Sequence, residues 1–456
     1  MSAAETSNLH FAHGERLALL ERWDEAAAEY DRAIATGCDG PQAWDRRGVA
    51  MKNLGELEEA LASFDMALHR DPNRVESHDN RSNLLRALDD NEEALAAAEA
   101  ALRLDPSCCA ALNARGHALR ALGRNAEALE SYDRAVKICP DNGPSRFNRG
   151  ACLLLTGDFE RGWPDYEFRW RSSDLDRMGS IVNRPLWRGE DLAGKSILLH
   201  AEQGLGDAIQ FCRYASLVAD LGAKVTLAAP AQLRRLMSSL AGVGEFTSRV
   251  DVADHYDFHC PLLSLPLAFG ARSETIPGRT PYLSVPDSVR AKWRDRLGPR
   301  RAFRIGLAWA GNPEHASDRQ RSMPLAMARG LLPAGAEVHC LQYMIPPRDV
   351  PEMALFPEMR FFGADAADFV DTAAIVLEMD LVITVDTSML HLAGALGART
   401  WGLLSFAADW RWLLNRSDSP WYPTLRLFRQ KAAGRWAPVI DEVRREAAEL
   451  SERAGA

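Results

Sequence analysis

Residues 43–72 read "AWDRRGVAMKNLGELEEALASFDMALHRDP", and the chain repeats that pattern twice more, 34 residues later each time. The copies are "SHDNRSNLLRALDDNEEALAAAEAALRLDP" (77–106) and "ALNARGHALRALGRNAEALESYDRAVKICP" (111–140). Pro72, Pro106 and Pro140 close them. Gly48 and Gly116 share one position with Ser82 between them. Phe64 and Tyr132 share another, with Ala98 between. Ala60, Ala94, Ala128 and Ala67, Ala101, Ala135 fill two more. An earlier copy holds Gly14, Ala26, Tyr30 and Ala33 in phase; a later one begins with Gly150 and Tyr166 and then degrades. Small residues let two antiparallel helices approach, an aromatic fills the remaining gap, and proline ends the second helix.

Over roughly residues 7 to 170 this pattern resembles the tetratricopeptide repeat. The resemblance implies an all-α superhelix with a concave groove lined by the first helices, which holds a polypeptide. Arg47, Arg81, Arg115 and Arg149 recur in step with Asp65, Glu99, Asp133 and Glu167, which predicts ion pairs between the two helices of each unit. A second row lies at i, i+4, i+7 on the first helices: Asp45, Val49, Lys52; Asp79, Asn83, Arg86; Asn113, His117, Arg120. It reads either as a solvated face or as a polar ladder gripping an extended polypeptide.

Composition narrows the alternatives. The 456 residues allow two or three domains, at 47% hydrophobic and 26% charged. The net charge of −9 is uneven, with −11 over residues 1–176 and +2 over the rest, which argues against nucleic acid as the main partner. No apolar run approaches the length of a membrane span, and no secretory leader is expected at the start. Eight scattered cysteines without a Cys-x-x-Cys predict reduced thiols and a cytoplasmic location.

Beyond residue 176 the period stops and strands alternate with helices: "SILLH", "KVTLAA", "YDFHC", then "FRIGLAWAG", "EVHCLQ", "LVITVD" and "TWGLLS". This alternation predicts parallel sheets in two Rossmann-like lobes with a ligand cleft between them. The expected division is repeats over 1–175, a linker over 176–195, an N-terminal Rossmann-like lobe over 196–290, a C-terminal Rossmann-like lobe over 300–435 and a final helix over 436–456. In "HAEQGLGDAIQFC" (200–212), Gly204 and Gly206 sit where strand becomes helix, and Asp207 is either a helix cap or a base aimed into the cleft. The helix is expected to run through Leu221.

Here "GLGDAIQF" and "VDTSMLHLAGALG" (385–397) resemble two motifs of the family 9, heptosyltransferase-like glycosyltransferases, with Ser388 in place of the family's usual glycine. The resemblance covers about residues 187 to 430. It implies a GT-B fold, a nucleotide-sugar donor, no bound cofactor and no metal. On that reading Thr387 and Ser388 with nearby amides bind the diphosphate. Asp386 holds a sugar hydroxyl or caps the helix. His391 faces the same end or is a core histidine. Arg319 and Arg321, in "LAWAGNPEHASDRQRSMPL", supply cations or are solvated. Asp207 is the base that takes the acceptor proton.

Other clusters weigh less. His255, His259 and Cys260 lie in a strand, which separates i and i+4 by about 13 Å, too far for a shared metal. "DLD" at 174–176 mimics a metal motif by coincidence. Trp410, Trp412 and Trp421 read as packing rather than base or sugar stacking. The functional expectation is a protein glycosyltransferase acting on Ser or Thr hydroxyls of an acceptor such as flagellin. The alternatives are a lipopolysaccharide-core transferase and a repeat scaffold with an inactive transferase module.

Overall fold

The computed structural model describes residues 3–171, 184–248, 255–315 and 317–455. The Asp174–Asp176 triplet lies outside them. The chain divides into two compact units, Met1–Cys152 and Leu153–Ala456.

The first unit is a series of helices: α1 (Ala3–Leu19), α2 (Trp23–Ala35), α3 (Pro41–Leu54), α4 (Leu57–Arg70), α5 (Val75–Ala87), α6 (Asn91–Leu104), α7 (Cys109–Ala121), α8 (Asn125–Ile138) and most of α9 (Gly143–Thr156). They follow the 34-residue period, and α4, α6 and α8 each stop just before the prolines at 72, 106 and 140. The small and aromatic positions meet as the period demands. A Cβ on Gly14, Gly48 or Gly116 would stand 2.7, 2.6 or 2.4 Å from the ring of Tyr30, Phe64 or Tyr132. Ser82 is tolerated at the same position because its partner is Ala98, and its hydroxyl donates to the Ala94 carbonyl at 2.7 Å.

The arginine row pairs differently from the expectation. Arg47, Arg81, Arg115 and Arg149 donate to Asp31, Asp65, Glu99 and Asp133, each sixteen residues earlier, at 2.6, 2.8, 3.3 and 3.1 Å. The acid therefore belongs to the preceding repeat. Within its own repeat the arginine reaches a serine instead: Arg47 to Ser63 and Arg115 to Ser131, both at 2.6 Å. The row ties successive repeats together because each first helix packs between two second helices. Glu167 leaves the series and binds Arg169 and Ser264.

A disulfide joins Cys109 at the start of α7 to Cys139 just after α8, with Cα atoms 6.4 Å apart. This corrects the expectation of reduced thiols throughout. Thirty residues separate the pair in sequence, but two antiparallel helices bring their ends within bridging range.

The second unit opens with α10 (Phe159–Tyr166) and a short 3-10 turn, Glu167–Arg171. Its strands are β1 (Ser196–His200), β2 (Lys224–Ala228), β3 (Val243–Thr247), β4 (Phe258–Pro261), β5 (Arg304–Ala308), β6 (Glu337–Cys340), β7 (Arg360–Phe361), β8 (Leu381–Val385), β9 (Thr400–Leu404) and β10 (Leu425–Arg429). They form two parallel sheets, ordered β3-β2-β1-β4 and β10-β9-β8-β5-β6-β7. From β7 to β10, the second follows the 3-2-1-4-5-6 order of doubly wound nucleotide-binding sheets. Strand order reverses between β1 and β4 in one sheet and between β5 and β8 in the other. Loops leaving such points diverge and open a crevice at the carboxyl ends of the strands.

The helix after β1 does not run unbroken to Leu221. It splits into Leu205–Phe211 and Tyr214–Asp220, and between them Arg213 turns its guanidinium back onto the Gln210 carbonyl. The last described helix, Ala437–Gly455, buries Val439, Ile440 and Val443 against the core of the larger sheet. Among the described residues no helix is long and apolar enough to cross a membrane.

Candidate functional site

The turn after β1 starts a helix at Leu205 with Gly204 as its cap residue. Glycine has no side chain to cap with, so Asp207 acts in reverse: its Oδ2 accepts the Gly204 N–H at 3.0 Å. Its Oδ1 accepts from the buried guanidinium of Arg411, which comes from 204 residues further along. Arg411 also donates to Gln210 Oε1 at 2.7 Å and to Asp409 at 2.8 Å. Burial opposes its charge, but Asp409 and Asp207 outweigh this and hold it protonated.

The turn after β8 begins the helix Ser388–Ala395. Thr387 caps it by accepting the Met389 N–H at 3.3 Å. Asp386 does not cap. Its Oδ2 accepts from Trp412 Nε1 at 2.8 Å. Burial, reinforced by Asp409, pushes its carboxyl up to about 6. His391 is 5% exposed, stacks on Trp412 and lies with Nδ1 2.9 Å from the Tyr422 hydroxyl. Burial and then Arg411 push it down to about 3, so it is a neutral imidazole at pH 7.

The two turns meet. A Cβ on Gly206 would come within 2.8 Å of His391 Cδ2 and 3.4 Å of Ser388 Cα. Thus Gly206 is the point of closest approach, where only glycine fits, and Gly204 supplies the capped amide. Arg321 joins from the loop after β5, donating to the Asp386 carbonyl at 3.0 Å. Arg319, on the same short helix, is exposed. Asp207, Asp386, Thr387, Ser388, His391 and Arg321 therefore share one locality.

Sequence reasoning misses several contributors. Arg411, Asp409 and Trp412 sit in the aromatic-rich segment whose tryptophans read as packing. That packing is present: Trp410, Trp412 and Trp421 are all buried. Behind the β1 turn, Glu202 pairs with Arg169 at 3.0 Å, both side chains within 1% of full burial, and accepts the Leu263 N–H at 3.2 Å. Burial pushes the Glu202 carboxyl up to about 7. His259 stacks on His200, with ring nitrogens 3.2 Å apart. No group of three or more His, Cys, Asp or Glu residues among the described ones is arranged to hold a metal.

In the repeats, the expected ladder is partly spent on structure. Asp45 is 2% exposed and accepts from Ser77 and Asn80 of the next repeat at 2.9 and 3.2 Å. Asn113 and His117 both contact the Asn148 amide, at 3.0 and 2.9 Å. Asn83 donates to Asp79 on its own helix. Burial pushes the Asp79 carboxyl up to about 6. A concavity of about 510 Å³ is lined by Asp45, Arg74, Asp79, Asn80 and Cys108 among others. Lys52, Arg86 and Arg120 take no part in these contacts.

Residues 11–75 and 80–143 match the tetratricopeptide repeat family, and the N-terminal unit carries such repeats. The curated protein FlbA of Caulobacter vibrioides is 28% identical, over 65% of this chain and 54% of FlbA. The chain thus spans about half the length of that relative. Among solved structures, the Thermus thermophilus tetratricopeptide protein TTC0263 is 21% identical, with a TM-score of 0.34 over 38% of this chain and 96% of that one. The pilF protein of Pseudomonas aeruginosa is 13% identical, with a TM-score of 0.37 over 49% and 89%.

Proposed function

We propose that this chain is a protein glycosyltransferase in which the repeats select a polypeptide acceptor and the α/β unit, as a GT-B module, transfers a sugar from a nucleotide donor to a Ser or Thr hydroxyl. The observation that carries this reading is the meeting of the Gly204–Asp207 and Asp386–His391 turns at the switch points of two parallel sheets. The proposed division is repeats over 1–175, of which Phe159–Arg171 packs into the α/β unit, a linker over 176–195, an acceptor-side lobe over 196–290, a nucleotide-side lobe over 300–435 and a final helix over 436–456.

Cleavage of the sugar–phosphate bond leaves new negative charge on the diphosphate. Arg321, Arg319 and the amides at the start of the 388–395 helix are the groups suited to stabilise it. The neutral His391 imidazole, stacked on Trp412, stands one turn into that helix on the side that meets Gly206. Asp207, the carboxylate nearest the helix junction, takes the proton of the attacking hydroxyl through lone pairs beyond those bound to Gly204 and Arg411. Flagellin is one acceptor of the expected kind.

Thermal-shift titration with nucleoside diphosphates tests donor binding. Asp386→Ala and His391→Ala each remove a polar contact next to the diphosphate and are expected to weaken it roughly 10-fold or more. Intact-mass analysis of co-expressed acceptor then gives the sugar increment. A chain that binds no nucleotide is a scaffold, and the transferase reading falls.

A further inference from the structure

The bond between Cys109 and Cys139 belongs to one repeat alone. One period earlier the two positions hold Val75 and Asp105, and one period before that Pro41 and Asp71. Both aspartates serve their own turn: Asp71 Oδ1 accepts the Asn73 N–H at 3.0 Å, and Asp105 Oδ1 accepts the Ser107 N–H at 2.9 Å. Cys139 gives up that carboxylate, and a sulfur bridge to the start of α7 stands in its place. The bridge closes the open end of the α7–α8 hairpin, whose other end the chain itself closes between Ala121 and Asn125. The repeat is thereby a covalent ring.

Two features leave this bond open to exchange. Cys109 and Cys139 are both partly exposed, so a thiol can reach them. Cys109 is also the first residue of the 13-residue helix α7, and no acidic residue lies in the first turn of that helix. A sulfur released there as thiolate meets the positive end of the helix, which favours its departure. A dithiol reductant therefore attacks Cys139. Its first thiolate forms a mixed disulfide with Cys139 Sγ, and the electron pair of the broken S–S bond leaves on Cys109. The second thiol of the reductant then displaces Cys139. The reductant ends as a disulfide, and its two protons end on the two cysteines.

We propose that Cys109 and Cys139 form a reversible thiol–disulfide switch that sets the rigidity of the α7–α8 repeat, with Cys109 as the leaving sulfur. Reduction leaves the end of α8 with neither bridge nor aspartate, a state that the two preceding repeats never enter. The start of α7 then loosens, and with it one wall of the concavity of about 510 Å³, to which Asp105, Cys108 and Ala110 contribute. Cys108 adjoins the exchanging sulfur in sequence, but it is a free thiol on that wall. The switch works within the repeats, whatever the α/β unit transfers.

Thiol counting on the full chain tests this. With the bridge closed, a maleimide label under native conditions is expected on Cys38 and Cys108, the partly exposed free cysteines. Millimolar dithiothreitol, without denaturant, is expected to add Cys109 and Cys139, located by peptide mass spectrometry. Oxidised glutathione should then close the bond again. Opening should lower the melting temperature of the repeats by about 5–15 °C. It should also speed amide hydrogen exchange over residues 108–112 and 135–139 by about tenfold or more. Cys139→Asp, which restores the residue of the two preceding repeats, should melt at one temperature with and without reductant. Cys108→Ser should behave as the parent. Labelling of Cys109 and Cys139 before any reductant is added overturns the proposal. So does a bond that opens only in denaturant, one that does not close again, or one whose opening leaves melting and exchange unchanged. A Cys108→Ser chain that no longer opens and closes also overturns it, because the exchange would then run through Cys108.

Discussion

Asp207 holds a backbone amide with one oxygen and a buried arginine with the other, and this governs what its substitution can report. Asp207→Asn removes the charge facing Arg411, which keeps Asp409 as its remaining acid. The loss is expected to cost about 1–3 kcal/mol, below the range for a fully orphaned buried charge. If Asp207 is the base, turnover falls by about 10²–10⁴ as well. Measured together, melting temperature and turnover should both drop. A less stable variant with turnover within about tenfold of the parent reduces Asp207 to a cap and ion-pair partner. The glycines, Asp207 and Asp386–His391 are legible in sequence because each lies at a strand-to-helix turn with polar residues on apolar flanks. Arg411 is not, because nothing local distinguishes one arginine among tryptophans; its role exists only once the chain returns to Asp207.

At the scale of elements, the legible strands are mostly apolar ones with neighbours on both sides; the edge strand β4, read from "YDFHC", is the exception. "SILLH", "FRIGLA" and "LVITV" become β1, β5 and β8, the centres of their sheets. The strands that sequence does not reveal, β3, β7 and β10, all lie at sheet edges. Edge strands are short or charged and so lack the continuous apolar run that marks a buried parallel strand. The helical repeats are legible to within a few residues, because period, glycine–aromatic pairing and proline agree. The direction of the arginine pairs is not, since spacings of 16 and 18 residues look alike until the helices are stacked. The glycine–aromatic contact gives a direct test. Alanine favours a helix interior by about 1 kcal/mol over glycine. In Gly48→Ala the new methyl would meet a fully buried Phe64 ring at 2.6 Å. Overpacking of this kind costs about 1–3 kcal/mol. Net destabilisation is therefore expected in chemical denaturation, and a stabilised variant would show that the ring yields freely.

At the scale of the whole molecule, the segment Phe159–Arg171 is built into the α/β unit. Trp163 donates to the Ala271 carbonyl at 2.9 Å and meets the Trp410 ring edge-on at 5.3 Å; Tyr166 meets Trp410 at 5.4 Å. Arg169 supplies the counter-charge of buried Glu202. Removing one partner of a buried pair costs about 3–5 kcal/mol. A fragment beginning at residue 172 is thus expected to melt well below one beginning at Leu153, or to aggregate through the uncovered Trp410. Differential scanning calorimetry of the two decides; equal melting temperatures would make the segment dispensable.

The pairing of each row arginine with the repeat before it bears on how such an array can change length over generations. Deleting 34 residues, for instance 47–80, brings Arg81 into the place of Arg47 and opposite Asp31, its sixteen-residue spacing intact. Duplication of one period is equally neutral to the staple. The array can therefore gain or lose whole repeats without disturbing the arginine staples, whereas any insertion inside a period misaligns every staple that spans it.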